Sequence, residues 1–322
     1  MTATDTGAEA PAATARAAAL EAPDEARAAA SPAAAAASIV TSAPASAPGS
    51  QQPVLRAVAL TMSLFGLLVI GFAVYLYGLS GLAEAHAQST LYKTLRGQLS
   101  AATAPVGNSP ASEGAPVAII NVPELGISDL VIVEGTTSAD LTHGPGLLPG
   151  SAFPGQPGVS VVYGRAATFG GPFAHLMELN RGDRITVVTG EGTSTYAVES
   201  FGDSAHPASN PAADQLVLYT ADSSFLARNY EQVTADLVSP PMASSGAGQG
   251  TAGPRDAPLA GDAGVAIPLI LWSEALVAVL VGAVLLGRRW SVPMVLLYAA
   301  PAAFALAWAV YENLAVLLPN LY

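Results

Sequence analysis

Three long apolar runs stand out in the pattern of hydrophobic and polar positions. The first, residues 54–79, carries no charge after Arg56, and a helix of this length can cross a hydrocarbon core about 30 Å thick. The other two, residues 267–287 and 292–318, are joined by the short sequence GRRWS. The pattern predicts three transmembrane helices, of which the last two form a hairpin. A cleaved signal peptide is the alternative for the first run, but the run is longer than the apolar region of such a peptide.

A different pattern fills residues 117–239. Short runs rich in Val, Ile, Thr and Tyr are separated by Gly, Pro and Asp, as in a barrel or sandwich of short strands. The segment is therefore predicted to be a mostly β domain. Its predicted strands are VAIINV, LVIVEG, VSVVYG, RITVVTG, STYAVES, QLVLYTA and EQVTADLV.

The remaining segments connect these elements. Residues 1–52 are rich in Ala, Pro, Ser and Thr and are predicted to be disordered, because they cannot bury enough apolar surface to offset their conformational entropy. Residues 83–116 are predicted to form a juxtamembrane helix followed by a Pro/Gly/Ser linker, since leucines recur at helical spacing in the first part. A second flexible linker is predicted at residues 240–265.

The charges that flank the apolar runs predict an orientation in the membrane. Arg56 precedes the first run, and Arg288 and Arg289 lie between the last two, so the positive-inside rule places all three in the cytoplasm. We expect a multi-pass protein of the cell membrane with the lipid bilayer as a partner, a cytoplasmic N-terminal tail and an extracellular β domain. Glu274 and Glu312 lie near the outer ends of their runs, where snorkelling accounts for them; a buried contact with another membrane protein is the alternative.

Composition excludes several classes of function. Only 11% of the 322 residues are charged, against about 25% in a soluble domain. The formal net charge of −12 argues against nucleic-acid binding, which needs clustered Lys and Arg. There is no cysteine, which excludes disulfides, thiolate metal sites and a thiol nucleophile. The four histidines are not spaced as helical metal ligands, so neither a metal nor another cofactor is expected.

Four segments of the β domain carry motifs that come in the order of one known family. The most specific is a Gly/Pro-rich loop. The segments are VAIINVPELGISDLVIVEGTTSADL (117–141), GPGLLPGSAFPGQPG (144–158), FGGPFAHLMELNRGDRITV (169–187) and LVLYTADSSFLAR (216–228). Together they resemble the sortase family, especially its actinobacterial branch, often called class E. The resemblance implies a sortase-like closed β-barrel at the cell surface and an association with the cell wall.

The same resemblance implies where the catalytic groups of a sortase would lie. Sortases use a cysteine thiolate to attack the Thr-Gly bond of a sorting signal, a histidine as proton donor and an arginine that stabilises the developing charge. Here the Thr-Cys pair corresponds to Thr220 and Ala221, and the histidine position falls on Arg165 after Gly164. The arginine is carried over as Arg228. These five residues are the predicted peptide groove, called the groove below, and the covalent mechanism of the family is not available to it.

Other residues offer weaker candidates for chemistry. Ser223 and Ser224 follow Ala221, and His206 lies in the preceding loop, so a serine-based mechanism is an alternative, although nothing around either serine resembles a nucleophile elbow. His175 is interpreted as a satisfied surface residue and His143 as structural. For Arg165 itself there were two interpretations: a clamp on a carboxylate or backbone carbonyl of a bound peptide, or, slightly favoured, a solvated arginine or one paired with an acid such as Asp222.

Three functions follow as hypotheses. The leading one is a pseudo-sortase, a catalytically inactive barrel that binds an extended, sorting-signal-like peptide or another cell-surface or membrane protein. The second is a serine-based hydrolase or transpeptidase on the same barrel. The third is a subunit of a larger membrane complex in which the barrel forms an extracellular cap.

Overall fold

A computed structural model describes residues 52–107, 111–207, 214–222, 228–243 and 251–322. The predicted disordered tail, residues 1–52, lies outside these ranges except for Gln52. Residues 54–322 form one compact unit.

One long helix begins the described chain. It consists of α1 (Gln52–Val74), a π-helical turn (Tyr75–Leu79) and α2 (Ser80–Ser100). The first transmembrane run and the juxtamembrane helix, predicted as two elements, are thus continuous, because no proline lies between Pro53, in the first helical turn, and Pro105. In α2, Leu95 is fully buried against Ile119 and Val131 on the outside of the β domain.

The β domain is a closed barrel of eight strands, which confirms the predicted fold class. Around the barrel the order is β1-β2-β3-β4-β7-β8-β6-β5. All seven predicted strands are present; the additional one, β3, has only two residues inside the Gly/Pro-rich loop. The strands are β1 (Pro116–Val122), β2 (Ile127–Glu134), β3 (Gly146–Leu147), β4 (Val159–Tyr163), β5 (Arg184–Thr189), β6 (Gly192–Asp203), β7 (Gln215–Ala221) and β8 (Tyr230–Leu237).

The pairing of β4 with β7 positions the groove. These two strands are parallel and in register from Val159 opposite Gln215 to Tyr163 opposite Tyr219. Because side chains alternate along a strand, β7 sends Leu216 and Leu218 into the barrel core and Tyr219 and Ala221 to the outside. The carboxyl ends of the two strands therefore lie side by side.

Part of the chain between the barrel and the last two helices contacts the barrel. Residues 240–265 were predicted to be a flexible linker, but residues 251–265 contain two short 3-10 turns, Pro254–Asp256 and Ala263–Val265. Thr136 of the barrel donates a hydrogen bond to Asp256 at 3.0 Å, and both residues are buried. This part of the predicted linker therefore makes a buried polar contact with the barrel.

The last two helices are α3 (Ala266–Leu286) and α4 (Val292–Val316). Together with the first long helix they make three described helices that are long and apolar enough to cross a membrane. Glu274 is exposed on α3. On α4, Glu312 accepts a hydrogen bond from the indole nitrogen of Trp308 at 2.6 Å.

An aromatic cluster joins the helices to the barrel. Tyr75, which is buried, stacks edge-on against Trp308 of α4 with ring centroids 5.2 Å apart. It also makes an edge contact, at 6.5 Å, with Phe169 from the loop after β4. Ala315 completes this buried cluster. The loop that carries Arg165 is therefore packed directly against the ends of two apolar helices.

Candidate functional site

The structure brings together four of the five predicted groove residues at the ends of β4 and β7. Gly164 and Arg165 directly follow β4, and Thr220 and Ala221 end β7. The amide of Gly164 donates to the carbonyl of Tyr219 at 2.9 Å, which extends the parallel pairing by one residue. The sequence positions that resemble the histidine and cysteine of a sortase are thus neighbours in space.

Gly164 is required at its position by packing. A β-carbon added there would lie 2.2 Å from the ring of Phe173, a fully buried residue of the barrel core. Since the ring cannot move without disturbing that core, any larger side chain at residue 164 would displace the loop that holds Arg165.

Arg165 is fully buried, so its interpretation as a solvated arginine is wrong. Its Nε donates to the carbonyl of Leu141 at 3.1 Å, and Nη2 donates to both the carbonyl and the hydroxyl of Ser138 at 2.8 Å. Nη1 donates to the hydroxyl of Thr168 at 3.1 Å and to the main-chain oxygen of Tyr322 at 3.2 Å. The five contacts match the five N–H donors of a guanidinium, and none of them goes to Asp222.

None of these hydrogen-bond partners of Arg165 is the side chain of an Asp or Glu residue. Burial lowers the pKa of the guanidinium to about 9, with a small opposing effect from Tyr75, so the group is still protonated at neutral pH. Its charge is stabilised by carbonyl dipoles and by the ring of Phe169, whose centroid lies 4.9 Å from Cζ. A group with this pKa and these bonds does not exchange protons readily near pH 7.

Phe169 is held in a strained conformation beneath Arg165. Its φ of 50° lies in the left-handed region, which is uncommon for a bulky residue. The conformation is stabilised by a hydrogen bond from its amide to the hydroxyl of Ser80 at 3.0 Å. The helix that leaves the first apolar run therefore helps to position the groove.

Ala221 occupies the bottom of an apolar surface outside the barrel. It is 2% exposed and packs in a cluster with Leu141, Tyr163 and Leu321. A methyl group in this setting has no chemistry to offer and serves only as a packing surface. Thr220, on the opposite face of the strand, is buried, and its hydroxyl has no hydrogen-bond partner among the described residues.

Arg228 is exposed at the same end of the barrel. It precedes β8, whose first residue, Tyr230, pairs with Ala221. Unlike Arg165, it is not drawn into the buried cluster. The serines of the alternative mechanism, Ser223 and Ser224, lie outside the described residues.

The histidines do not converge on the groove residues. His175 contacts Glu178 at 2.7 Å with both side chains largely exposed, as expected of a satisfied surface residue. His206 contacts Asp203 in the turn after β6. His143 is exposed, and its carbonyl accepts a hydrogen bond from Gln88. Within the described ranges no cluster of three or more His, Cys, Asp or Glu residues could hold a metal ion.

The groove is not empty, because residues 319–322, called the plug segment below, lie in it. Leu321 is fully buried in the apolar cluster with Ala221, and its carbonyl accepts a hydrogen bond from the amide of Ala166 at 2.9 Å. The main-chain oxygen of Tyr322 accepts from Arg165 and from the hydroxyl of Thr168. These residues are not among the predicted groove residues. Their only signal is an apolar leucine just beyond the end of the last predicted span.

The β domain is also similar to proteins of a known family. Residues 120–232 match the family model described as the sortase domain. Among solved structures, the chain is similar to sortase E from Streptomyces avermitilis, with 26% identity, a TM-score of 0.36 and coverage of 40% of this chain and 91% of that chain.

Two structures from Clostridium perfringens are also similar. The Sortase D5 transpeptidase has 18% identity, a TM-score of 0.40 and coverage of 48% of this chain and 99% of that chain. The structure of sortase C with the C-terminal cell wall sorting motif has 19% identity, a TM-score of 0.37 and coverage of 49% and 90%. No curated protein matches the chain.

Proposed function

Residues 120–232 of this chain are a sortase domain, as their motifs predicted, and from this premise we propose that the protein is a membrane-anchored pseudo-sortase. Its barrel binds a peptide or a partner protein at the cell surface and scaffolds it there without transpeptidation. The single observation that carries the proposal is the pair of neighbours Ala221 and Arg165 at the ends of β7 and β4.

The chemistry of these two residues supports inactivity. A sortase-type reaction needs a thiolate at the end of β7, and the chain contains no cysteine. It also needs a group that gives up a proton near neutral pH, whereas Arg165 is buried and uses its N–H donors in five hydrogen bonds. Replacing both groups removes the nucleophile and the acid together.

The binding role is supported by the contacts that Arg165 and Ala221 offer to a peptide. Arg165 can still donate hydrogen bonds to main-chain oxygens, as it does to Tyr322, and Ala221 still offers an apolar surface. One sortase C structure from Clostridium perfringens is described with its C-terminal cell wall sorting motif. An extended peptide of that kind is the ligand class we propose for the groove.

The three apolar helices support anchoring in the cell membrane. Arg56, Arg288 and Arg289 favour an orientation with the N-terminal tail and the α3–α4 loop in the cytoplasm and the barrel outside. This orientation is tested by single cysteines introduced at Ser291 and at Glu199, labelled from outside intact cells. Labelling of Glu199→Cys alone supports it, and labelling of Ser291→Cys alone contradicts it.

The inactivity is tested with the full chain in lipid nanodiscs. The probe is a fluorescence-quenched peptide that carries the Thr-Gly bond of a sorting signal, and an active sortase is the positive control. We expect no cleavage and no transfer to a glycine nucleophile above the rate in buffer. Cleavage by the natural chain would overturn the proposal, and its loss in Ser223→Ala or Ser224→Ala, together with labelling by a serine-reactive probe, would establish the serine mechanism instead.

A role as a subunit of a larger membrane complex is favoured by one feature, the rigid connection of the helices to the barrel through Tyr75, Phe169 and Ala315. A cap joined in this way moves with its helices. Size-exclusion chromatography in mild detergent separates the two cases: a monodisperse monomer supports the independent pseudo-sortase, and a stable stoichiometric complex with another membrane protein supports the subunit.

A further inference from the structure

Three of the four residues of the plug segment are held by hydrogen bonds or burial. Leu321 is buried in the same apolar cluster as Ala221, and the main-chain oxygen of Tyr322 accepts from Arg165 and Thr168. Asn320 is fully buried. Its side-chain nitrogen donates to the carbonyls of Thr136 at 2.8 Å and Ala257 at 3.2 Å, and its amide donates to the carbonyl of Ala260 at 2.9 Å.

These contacts define what the groove recognises. Hydrogen bonds from Arg165, Thr168 and the amide of Ala166 go to main-chain oxygens, so they hold an extended backbone whatever its side chains. Selectivity comes from the apolar cluster around Ala221, which takes the leucine side chain of Leu321.

The path of the chain makes this an intramolecular interaction. The plug segment follows α4 (Val292–Val316) after two residues, and the carbonyl of Leu318 accepts a hydrogen bond from Ser138 at 3.1 Å. Ser138 also accepts from Arg165. The hydroxyl of Ser138 therefore links the guanidinium of Arg165 to the residue just before the plug segment. Because the plug segment follows α4 so closely, the position of the end of α4 determines whether the plug segment can lie in the groove.

We propose that residues 319–322 are a built-in ligand of the groove, which keeps it closed to other peptides until the segment is displaced. The inference rests on the proposed function in that it takes the groove to be a peptide-binding surface. It adds that the resting protein does not bind a separate peptide, because such a peptide must compete with residues 319–322, an apolar, leucine-containing segment of the same chain. Tethering gives this segment a high effective concentration.

The absence of cysteine from the chain allows a direct test with single introduced thiols. The full chain with Ala221→Cys, in nanodiscs, is treated with a maleimide reagent, and the rate is compared with that of the same variant lacking residues 319–322. We expect labelling at least ten-fold faster without the plug segment. The exposed control, Glu199→Cys, should label at the same rate in both forms. Equal rates for Ala221→Cys with and without residues 319–322 would overturn the proposal.

A second variant keeps the test valid where the deletion prevents folding. The full chain with both Ala221→Cys and Leu321→Cys should form an intramolecular disulfide under mild oxidation, because the two side chains pack in one cluster. The pair Ala221→Cys with Glu199→Cys is the matched control and should remain reduced. A failure of the first pair to cross-link, in a chain that retains its thermal unfolding transition, would contradict occupancy of the groove.

A third measurement tests the ligand itself. A fluorescein-labelled peptide with the sequence of residues 316–322, VLLPNLY, should bind the deleted chain and not the full chain, as followed by fluorescence anisotropy. The same peptide with aspartate in place of the leucine at 321 should bind at least ten-fold more weakly to the deleted chain. Equal binding to the full chain and to the chain lacking residues 319–322 would overturn the proposal of a built-in ligand. So would a lack of binding to the shortened chain when its Ala221→Cys thiol reacts freely with maleimide. Neither outcome bears on catalysis, whereas cleavage of the sorting-signal peptide would overturn the pseudo-sortase and leave the thiol results standing.

Discussion

The two faces of the β4–β7 strand pair are buried in different ways. On the inner face, Leu216 and Leu218 pack against other strands of the barrel. On the outer face, Tyr163 and Ala221 pack against Leu321, a residue that the chain delivers only after passing through two apolar helices. The inner face is completed within the domain, while the outer face depends on a distant segment. The predicted groove is here a packing interface with the rest of the chain.

The largest effect on the outer face is expected when the guanidinium of Arg165 is removed. This group donates hydrogen bonds both to the barrel domain and to the plug segment. Arg165→Met leaves the buried carbonyls of Ser138 and Leu141 without a donor and removes one of the two donors to the main-chain oxygen of Tyr322, and each unpaired group costs about 1–3 kcal/mol. We expect a loss of roughly 3 kcal/mol or more in the free energy of unfolding, seen as a lower thermal transition of the solubilised full chain. Arg228→Met, at an exposed position, is the control and should change stability by no more than about 0.5 kcal/mol.

The next largest effect is expected where the plug segment meets Ala221. Leu321→Ala removes a fully buried side chain and should cost about 2–4 kcal/mol, measured by the same thermal transition. Val238→Ala, on a barrel residue that is 65% exposed, should cost much less. Equal effects of the two substitutions would mean that the outer face is not buried in solution.

A smaller effect is expected from a substitution at Gly164, where the loop that carries Arg165 packs against the barrel core. Gly164→Ala places a methyl group against the ring of Phe173, and overpacking of this kind costs about 1–3 kcal/mol. Gly97→Ala, in α2 with nothing within 4 Å of the added carbon, is the matched control and should be neutral or stabilising because alanine favours a helix. The measurement is the difference between the thermal transitions of the two variants; a Gly164→Ala chain as stable as the Gly97→Ala chain would contradict the packing argument.

The smallest effect is expected from Glu134 and Asp140, two acidic residues whose pKa values are affected by the charge of Asp256. Burial, aided by the charges of Asp140 and Asp256, raises the pKa of Glu134 to about 7. Because this folded-state pKa is above the unfolded value, the contribution of Glu134 to stability is fully present below about pH 4.5 and is lost as pH rises through about 7. Asp140, whose pKa is also raised by burial, adds in the same direction.

This linkage is measured as the difference between thermal transitions at pH 5 and pH 8. The natural chain should be less stable at pH 8, and Glu134→Gln should reduce the difference. Glu199→Gln, at an exposed position, is the control and should leave the difference unchanged. A Glu134→Gln chain with the same pH dependence as the natural one would show that this carboxyl is not desolvated.

Much of the fold could be predicted because it depends on local patterns. Alternation and turn residues predicted seven of the eight strands, and apolar length predicted the three helices. The two-residue strand β3 (Gly146–Leu147) could not be found by pattern, since it exists only through its pairing with β2 and β4. The contact of Asp256 with Thr136 could not be predicted for a similar reason, because the two residues are 120 positions apart in the sequence.

The candidate site shows the same division. Motif order was enough to select Gly164, Arg165, Thr220 and Ala221, and adjacent parallel strands bring them together. The environment of Arg165 was not predictable, because its partners come from residues 138, 141, 168 and 322. An arginine looks the same in sequence whether it is solvated or buried among carbonyls.

By itself, the sequence determined the classes of structure and the limits of the chemistry. Apolar runs set the three long helices, alternation set the barrel strands, and the lack of cysteine excluded the thiolate mechanism. Only the tertiary structure decided that Leu321 is buried in the cluster with Ala221 and that Tyr322 accepts a hydrogen bond from Arg165. The physical reason is that hydrophobic period and residue chemistry are local properties, whereas burial and hydrogen-bond partners depend on segments that meet only when the whole chain has folded.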